Sequence, residues 1–271
     1  MGDGAMNGIV IVDKPEDWTS QDVTARLRGV FHTRRIGHGG TLDPMATGVL
    51  PVFVGRATRG VEFFEHAQKE YEAVLRLGIE TNTEDMTGTV LQTHEVNVTK
   101  EVLLAVLARF HGQIEQVPPM YSALKINGQK LCDLARKGQQ VDRKPRQITI
   151  YALQCLDFTG QTASLRIACS NGTYIRTLCK DIGAALGCGG CMESLRRIAA
   201  GAYTIDEAVP LATLLQAQDP EKYLRNVDTM FQTHPKTVLT CNQEKRSATE
   251  IPFPCSLRTA LTAHTAKTAN F

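Results

Sequence analysis

One glycine-rich run, residues 37–50, constrains this chain more than any other stretch. Gly39 and Gly40 allow the backbone to take positive φ or to approach another segment closely. Pro44 disfavours the α region for Asp43 and extends the chain there. The run therefore predicts a stiff loop that presents one carboxylate. Asp43 either begins an ordinary turn, since Asp is common before Pro, or serves as a nucleophile or general base.

Apolar runs before and after this loop predict the elements that flank it. Residues 9–12 are β-branched and predict a buried strand, and residues 49–54 predict a second one. Residues 19–22 fit a capping box, and apolar side chains then recur at helical spacing over 20–31. The sequence therefore predicts a loop that follows a helix and leads into a buried strand.

Strand and helix patterns continue through the rest of the chain. Residues 69–77 alternate in polarity, which predicts a strand with Tyr71 on its apolar side. Residues 147–156 and 163–170 predict two strands paired as a hairpin. Helices are predicted at 99–110, 129–137, 175–186, 195–197 and 211–224, and a polar loop is predicted at 81–85.

Several strings in this sequence resemble one family. The run 37–50 is similar to motif II of the TruB family of pseudouridine synthases, G-H-x-G-T-L-D-P-x-A-T-G-V-L. The K-x-Y string at 69–71 and the S-x-G-T-Y-I-R string at 170–176 resemble two further family motifs. Residues 116–125 resemble its Q-x-P-P-x-x-S-A-x-K segment. The resemblance runs from about residue 8 to about residue 209 and then fades.

The resemblance implies roles for individual residues. Asp43 corresponds to the catalytic nucleophile, and Arg176 corresponds to the arginine that pairs with it. An adjacent Arg lowers the pKa of an Asp, so Asp43 would be ionised at neutral pH. Tyr71 corresponds to the ring that stacks on the flipped uracil and is implicated in moving the C5 proton. Further substrate contacts are implied for His38, Tyr174 and Leu195.

Without the resemblance, three of these residues have plainer interpretations. Tyr71 fits a core aromatic with its hydroxyl satisfied at the edge, and Leu195 fits an ordinary core residue. Arg176 fits a surface arginine in the first turn of a helix. Both interpretations of Leu195 can hold together, because a core residue can also pack near a substrate base.

Positive charge is concentrated locally rather than globally. Thirty Lys and Arg nearly balance 28 Asp and Glu, so an RNA site must come from clustering. The densest basic region contains Lys130, Arg136, Lys137, Arg143, Lys144 and Arg146. We interpret it as an RNA surface with Lys130 and Arg143 as substrate contacts; a solvated face is the alternative. Lys14 is either a phosphate contact or a solvated lysine at a strand end.

Composition and short motifs argue against several other classes of protein. The 8 cysteines lie in apolar segments, and neither a signal peptide nor a membrane-spanning run is evident, which predicts a reduced, cytoplasmic protein. Cys188 and Cys191 form a C-x-x-C that fits a redox pair or half a zinc site. No second such motif accompanies it, and no nucleotide-cofactor motif is present, so we expect no metal and no cofactor.

The resemblance implies an α+β fold with a mixed, largely antiparallel sheet flanked by helices. We expect a catalytic domain over 1–210, followed over 211–271 by a helix and the remnant of a small PUA-like RNA-binding region. Its first strand is predicted at 237–239, and the Thr- and Ala-rich tail at 256–271 is predicted to be poorly ordered.

The implied function is a tRNA pseudouridine synthase that isomerises the T-loop uridine, position 55 in tRNA numbering. Its partner is the T arm of tRNA, with no small-molecule cofactor and no membrane, and the protein is expected to be a monomer. A tRNA-binding and folding module with incidental catalysis is the first alternative. A hydrolase of nucleoside glycosidic bonds is the second, although no second carboxylate is placed for it.

Overall fold

A computed structural model of the chain describes residues 6–64, 66–126 and 128–232. The strands in this part are β1 (Gly8–Lys14), β2 (Ile36–His38), β3 (Thr47–Val54), β4 (Lys69–Leu77), β5 (Ile79–Thr81), β6 (Val90–Thr93), β7 (Gly112–Gln116), β8 (Lys125–Ile126), β9 (Gln129–Lys130), β10 (Arg146–Phe158), β11 (Thr162–Cys169), β12 (Gly190–Ala200), β13 (Tyr203–Thr204) and β14 (Val209–Pro210). The α-helices are α1 (Ser20–Val30), α2 (Val61–Phe64), α3 (Lys100–Ala108), α4 (Leu131–Arg136), α5 (Ile175–Ala185) and α6 (Leu211–Leu215). Short 3₁₀ turns lie at Gly55–Gly60, Ile205–Glu207, Glu221–Tyr223 and Val227–Phe231.

These elements fall into two compact units. The first unit takes the described residues within 1–44, 48–65 and 199–271, and the second takes those within 45–47 and 66–198. Strand pairing is mixed, since β1 pairs in parallel with β14, but it is largely antiparallel elsewhere. The predicted α+β class with a mixed, largely antiparallel sheet is therefore confirmed.

The first unit is built around the two strands predicted from apolar runs. β1 pairs antiparallel with β3 over seven residues, and β2 pairs with the far end of β3. The capping box of α1 is confirmed, because the Thr19 hydroxyl accepts from Asp22 N–H while the Asp22 carboxylate accepts from Thr19 N–H. The buried side chains of α1 face this sheet and α6, and so the helix that precedes the glycine-rich run is firmly packed.

The second unit has a five-stranded arrangement in the order β12-β4-β11-β10-β7. The predicted strand at 69–77 has the predicted bounds, and its alternate residues, including Tyr71 and Leu75, are buried. The predicted hairpin is also confirmed, since β10 and β11 pair antiparallel. One face of this arrangement carries α5.

Helix α5 lies directly against the main chain at the start of β12. A Cβ atom added to Gly183 would lie 2.6 Å from Cα of Gly190, closer than real Cβ contacts allow. The helix predicted at 175–186 is present, and its apolar side chains Ile175, Leu178 and Ile182 are buried. The helix is therefore held against the strand with no side chain as a spacer.

Two predicted helices are wrong. Residues 195–197 lie within β12, where burial alternates with period two and both Leu195 and Arg197 are buried. The predicted helix at 211–224 is shorter, since α6 ends at Leu215. Pro220, which lacks an N–H and whose ring clashes with the preceding turn, prevents one helix from running on to 224. A separate 3₁₀ turn, Glu221–Tyr223, follows that proline. The predicted strand at 237–239 and the predicted tail at 256–271 lie outside the described residues.

Candidate active site

The glycine-rich run spans the end of β2, the predicted loop and the start of β3, and its part with Asp43 belongs to the first unit. Gly40 has a φ of 91°, and a Cβ on Gly39 would clash with the ring of Phe64, so both positions require glycine. Leu42 is buried beneath the loop, whereas Asp43 is half-buried and keeps access to solvent. The loop thus presents one carboxylate from a rigid backbone.

A buried serine holds the residue next to Asp43. The Ser20 hydroxyl accepts from Leu42 N–H at 2.8 Å and donates to Leu42 C=O at 3.1 Å. Ser20 is the first residue of α1 and is only 2% exposed. The helix that was predicted from the capping box therefore also fixes the backbone of the loop.

Lys14 supports the other side of Asp43. Its ammonium donates to the carbonyl groups of Pro15, Trp18 and Pro44, at 2.8, 2.6 and 3.1 Å. The side chain has no exposed surface, so the interpretation as a solvated lysine is wrong. A phosphate contact would require the ammonium to give up one of these carbonyl groups, and we therefore assign Lys14 to loop support.

His38 is the last residue of β2 and pairs with Val52 of β3. It is half-buried and lies at the entrance to the glycine-rich run. Its predicted contact with the substrate base stays a prediction.

In the second unit, Arg176 occupies the first turn of α5, as predicted. It is only 5% exposed, which contradicts the interpretation as a surface arginine. Its guanidinium donates to Tyr121 C=O at 2.8 Å and to Thr83 C=O at 3.1 Å, and it lies 3.6 Å from the carboxylate of Asp85. These partners come from two separate loops, so the guanidinium is held in one orientation.

Asp85 is a buried carboxylate that sequence reasoning missed. One oxygen of its carboxylate accepts from the Thr83 hydroxyl at 2.8 Å and from Thr87 N–H at 3.0 Å, while the other faces Arg176. The preceding residue, Glu84, has a φ of 65° and accepts from Thr177 and Lys180 of α5. The sequence predicts a polar loop at 81–85. The signal for buried carboxylates was the threonines on both sides of the two acidic residues, because they can donate hydrogen bonds to them.

Tyr174 and Tyr71 belong to different elements of the same unit. Tyr174 is half-buried at the N-cap of α5, and the side chain of Gln116 binds its backbone. Tyr71 is 7% exposed on the buried face of β4. Tyr71 therefore fits a core aromatic residue, and its predicted stacking on a substrate base stays a prediction.

Leu195 is 8% exposed and lies on β12 rather than on a helix. The next residue, Arg196, donates to the Thr47 hydroxyl at 3.2 Å. Leu195 is therefore a core residue of a strand, and its contact with a substrate base stays a prediction.

The predicted basic region is largely exposed. Lys130 is exposed at the end of β9, next to α4, and Arg143 is half-buried with its guanidinium donating to Pro118 C=O at 2.9 Å. The other members Arg136, Lys137, Lys144 and Arg146 are all exposed. Their charges are accessible to a polyanion, and Arg143 is also part of the structure that holds the Pro-Pro segment.

The cysteines of the C-x-x-C are both buried. Burial raises the pKa of the Cys188 thiol, and burial together with Asp85 raises that of Cys191 to about 11. The thiolate is the form that binds metals and reacts with oxidants. A raised pKa keeps a thiol protonated at neutral pH and so disfavours both reactions at these two cysteines. Among the described residues, no group of three or more His, Cys, Asp or Glu side chains is arranged to hold a metal ion.

Comparison with protein families accounts for most of the described chain. The N-terminal domain of TruB family pseudouridylate synthases matches residues 28–175. The C-terminal domain of tRNA pseudouridylate synthase B matches residues 176–228, beyond the point where the resemblance appeared to fade. The chain therefore belongs to the TruB family of pseudouridylate synthases.

Individual relatives agree with this family. A tRNA pseudouridine synthase B from Clostridium kluyveri is 44% identical over 234 residues, which cover 86% of this chain and 81% of the relative. The enzyme of the same name from Dechloromonas aromatica is 47% identical over 233 residues, covering 85% of this chain and 78% of the relative.

Solved structures share the fold. A chain of a Cbf5-Nop10-Gar1 complex superposes with a TM-score of 0.68 and 29% identity, covering 86% of this chain and 64% of that one. A chain of an H/ACA RNP bound to a substrate RNA containing 2′-deoxyuridine superposes with a TM-score of 0.65 and 26% identity, covering 86% of this chain and 63% of that one. This chain thus spans less than two thirds of the length of these solved chains. No helix in the described ranges has the length and apolar character needed to cross a membrane.

Proposed function

We propose that this protein isomerises a uridine in the T loop of tRNA, position 55 in tRNA numbering, to pseudouridine. The observation that carries the proposal is the rigid glycine loop with one accessible carboxylate, in a chain that belongs to a pseudouridylate synthase family. The relatives named tRNA pseudouridine synthase B support tRNA as the substrate. The reaction is an isomerisation, so it needs no redox or phosphoryl-transfer cofactor.

In the proposed mechanism, Asp43 is the nucleophile. The target uridine leaves the stack of the T loop, which costs a few kcal/mol and least for a base that is unpaired. The Asp43 carboxylate attacks either C1′ of the ribose, which displaces the uracil, or C6 of the ring, after which the glycosidic bond breaks. The base rotates, C5 bonds to C1′, and the bond to Asp43 is released. C5 then loses its proton and N1 gains one, so the carboxylate is regenerated and the product is an isomer of the substrate. Loop rigidity supports this role, because a carboxylate on a fixed backbone meets the reacting atom with little reorganisation.

We assign supporting roles to residues of the second unit. Arg176 keeps Asp43 ionised and oriented, because an arginine fork holds a carboxylate with two donors. Tyr71 stacks on the flipped base, Tyr174 and Leu195 pack around it, and His38 of the first unit holds the opened loop. The fixed guanidinium of Arg176 supports a constant orientation.

The phosphates of the T arm are expected to lie along the basic region. Its exposed members include Lys130, and phosphate contact needs only positive charge within reach. Affinity should therefore fall steeply with salt. We further propose that the protein acts as a cytoplasmic monomer, with a catalytic domain over 1–210 followed by a small RNA-binding region over 211–271. Sedimentation with and without tRNA tests the monomeric state.

The test uses unmodified T-arm RNA, purified protein and no added cofactor. Pseudouridine is mapped by carbodiimide-dependent stops in primer extension. We expect a stop at the T-loop uridine with the wild-type protein and none with Asp43→Asn, while RNA affinity stays unchanged. The matched control is Asp17→Asn, an exposed carboxylate in the same unit whose positive φ suits asparagine. Wild-type activity in Asp43→Asn would refute the nucleophile, and bound but unmodified RNA with the wild-type protein would favour a binding module.

A further inference from the structure

Gln116 has a side chain whose two polar atoms bind the same backbone residue. It ends β7, is 3% exposed, and lies 58 positions from its partner Tyr174 in the sequence. Its Nε2 donates to Tyr174 C=O at 3.0 Å, and its Oε1 accepts from Tyr174 N–H at 2.8 Å. Two bonds to one residue fix both the position and the rotation of that peptide backbone.

Tyr174 is the point from which α5 begins. It is the N-cap, and its own side chain makes no capping hydrogen bond, while its carbonyl already accepts from Leu178 N–H at 3.0 Å. Helix starts need partners for their first N–H groups, and here Gln116 supplies one from another element. Arg176 follows two residues later, so a shift of the helix start would move its guanidinium.

The segment that begins at Gln116 also holds Arg176 directly. Tyr121 C=O accepts from the Arg176 guanidinium at 2.8 Å, and Pro118 C=O accepts from Arg143 at 2.9 Å. The two prolines of this segment restrict its backbone. One short segment therefore contacts the start of α5 at two points, once through a side chain and once through the main chain.

We propose that Gln116 is a positioning residue for catalysis. Its paired hydrogen bonds hold Tyr174 and, through the first turn of α5, the orientation of the Arg176 guanidinium. The inference rests on the proposed function, because its readout is pseudouridine formation. It concerns turnover rather than RNA binding, since the Gln116 side chain is buried and is not itself available to a phosphate.

Two substitutions at this site separate positioning from simple packing. Gln116→Met keeps the approximate shape but removes both hydrogen bonds. Gln116→Glu keeps the acceptor for Tyr174 N–H but, when ionised, turns a second acceptor toward Tyr174 C=O. The matched control is Gln113→Met, the same change on the same strand at an exposed position.

The activity of the glutamate variant is expected to depend on pH, which gives a further test of the proposal. A carboxyl group buried at this site has a raised pKa, because burial disfavours its charged form. When protonated, it donates through O–H and accepts through C=O, and so it restores both bonds of the amide. The activity of Gln116→Glu relative to wild type should therefore rise as pH falls from about 8 to about 6. A general packing defect would give a ratio that does not change with pH.

Three quantities are measured for each variant with T-arm RNA. Gln116→Met should lower the single-turnover rate about 10- to 100-fold, because small misplacements of catalytic groups have effects of this size. RNA affinity should stay within about twofold of wild type, since no phosphate contact is removed. Hydrogen exchange at the Tyr174 amide should become faster in Gln116→Met and remain unchanged in Gln113→Met.

The outcomes distinguish this inference from the proposed function. An active wild-type protein, a silent Asp43→Asn and full activity in Gln116→Met would overturn the positioning role alone. Weaker RNA binding with an unchanged single-turnover rate, or a pH-independent defect in Gln116→Glu, would overturn it as well. An inactive wild-type protein would overturn the proposed function and this inference together.

Discussion

The loop that carries Asp43 and the helix turn that carries Arg176 are stabilised in different ways. In the first unit, Lys14 and Ser20 hold the loop by hydrogen bonds to main-chain atoms. In the second unit, Arg176 also binds main-chain carbonyls, but the buried carboxylate of Asp85 faces it. The Ser20 contact is uncharged on both sides, whereas the contact between Arg176 and Asp85 joins two opposite charges.

This difference predicts different responses to substitution. Removing the hydroxyl that binds the Asp43 loop leaves main-chain groups without this partner, at a cost of about 1–3 kcal/mol. Removing a carboxylate from beside a buried guanidinium also removes compensation for a buried charge, which costs more. The two regions should therefore differ in the size of their response and in its dependence on salt.

The largest effect is expected from Asp85→Ala. This change removes a carboxylate that faces Arg176 and also the acceptor for Thr83 and Thr87. Breaking a buried ion pair from one side typically costs about 3–5 kcal/mol, and we expect a loss of stability near that range. Urea unfolding measures it, and single-turnover assays should show a large loss of activity.

Asp85→Asn is the control for this first prediction. The amide oxygen still accepts from the threonines but carries no charge, so an intermediate loss is expected. Equal stability of Asp85→Asn and wild type would show that charge contributes little here, and the contrast between the two regions would fail.

A smaller effect is expected from Ser20→Ala. The change removes two buried hydrogen bonds to Leu42 and leaves the main-chain N–H and C=O beside Asp43 without this partner. We expect a loss of about 1–3 kcal/mol, with a lower rate and unchanged RNA affinity, because the loop loses rigidity. Thr24→Ala, which removes a helix hydroxyl that bonds only within α1, is the control. Equal rates in both variants would contradict a role for Ser20 in holding the loop.

The smallest effect is expected from Lys180→Met. Its ammonium lies 2.9 Å from the Glu84 carboxylate, but the lysine side chain is half exposed. Exposed and partly exposed pairs contribute about 0.2–1 kcal/mol, and screening reduces this further. Urea unfolding at low and high salt should show a small loss that disappears as salt increases. Lys137→Met, at an exposed position after α4, should show no such dependence.

The sequence predicted those features that depend on local pattern. The alternation over 69–77 predicted β4 and the buried side of Tyr71, and the apolar spacing after Tyr174 predicted α5. The glycines predicted the shape of the Asp43 loop, because positive φ and close approach are properties of a single residue. Where a single residue type or one repeating pattern of polarity determines the structure, the sequence was sufficient to predict it.

Features that depend on distant partners were missed. Leu195 lies on a strand because β12 is placed beside β4, which the local pattern of one leucine and two arginines does not reveal. The helix predicted at 99–110 does not reveal which side of α3 is buried: Val102 is exposed while Leu103 is buried, because two adjacent apolar residues leave the helix face ambiguous. The paired bonds of Gln116 join residues far apart in sequence, and so no local pattern predicts them.

The contact between Gly183 and Gly190 has a consequence for how this enzyme can vary. Spacing between a helix and a sheet usually depends on interposed side chains, which can change size and rotamer. Here the two backbones meet directly, so the separation has no adjustable part. A change of side-chain size elsewhere in the core therefore leaves the contact at Gly183 without a spacer, whereas any side chain at Gly183 itself would have to push the helix away from the strand.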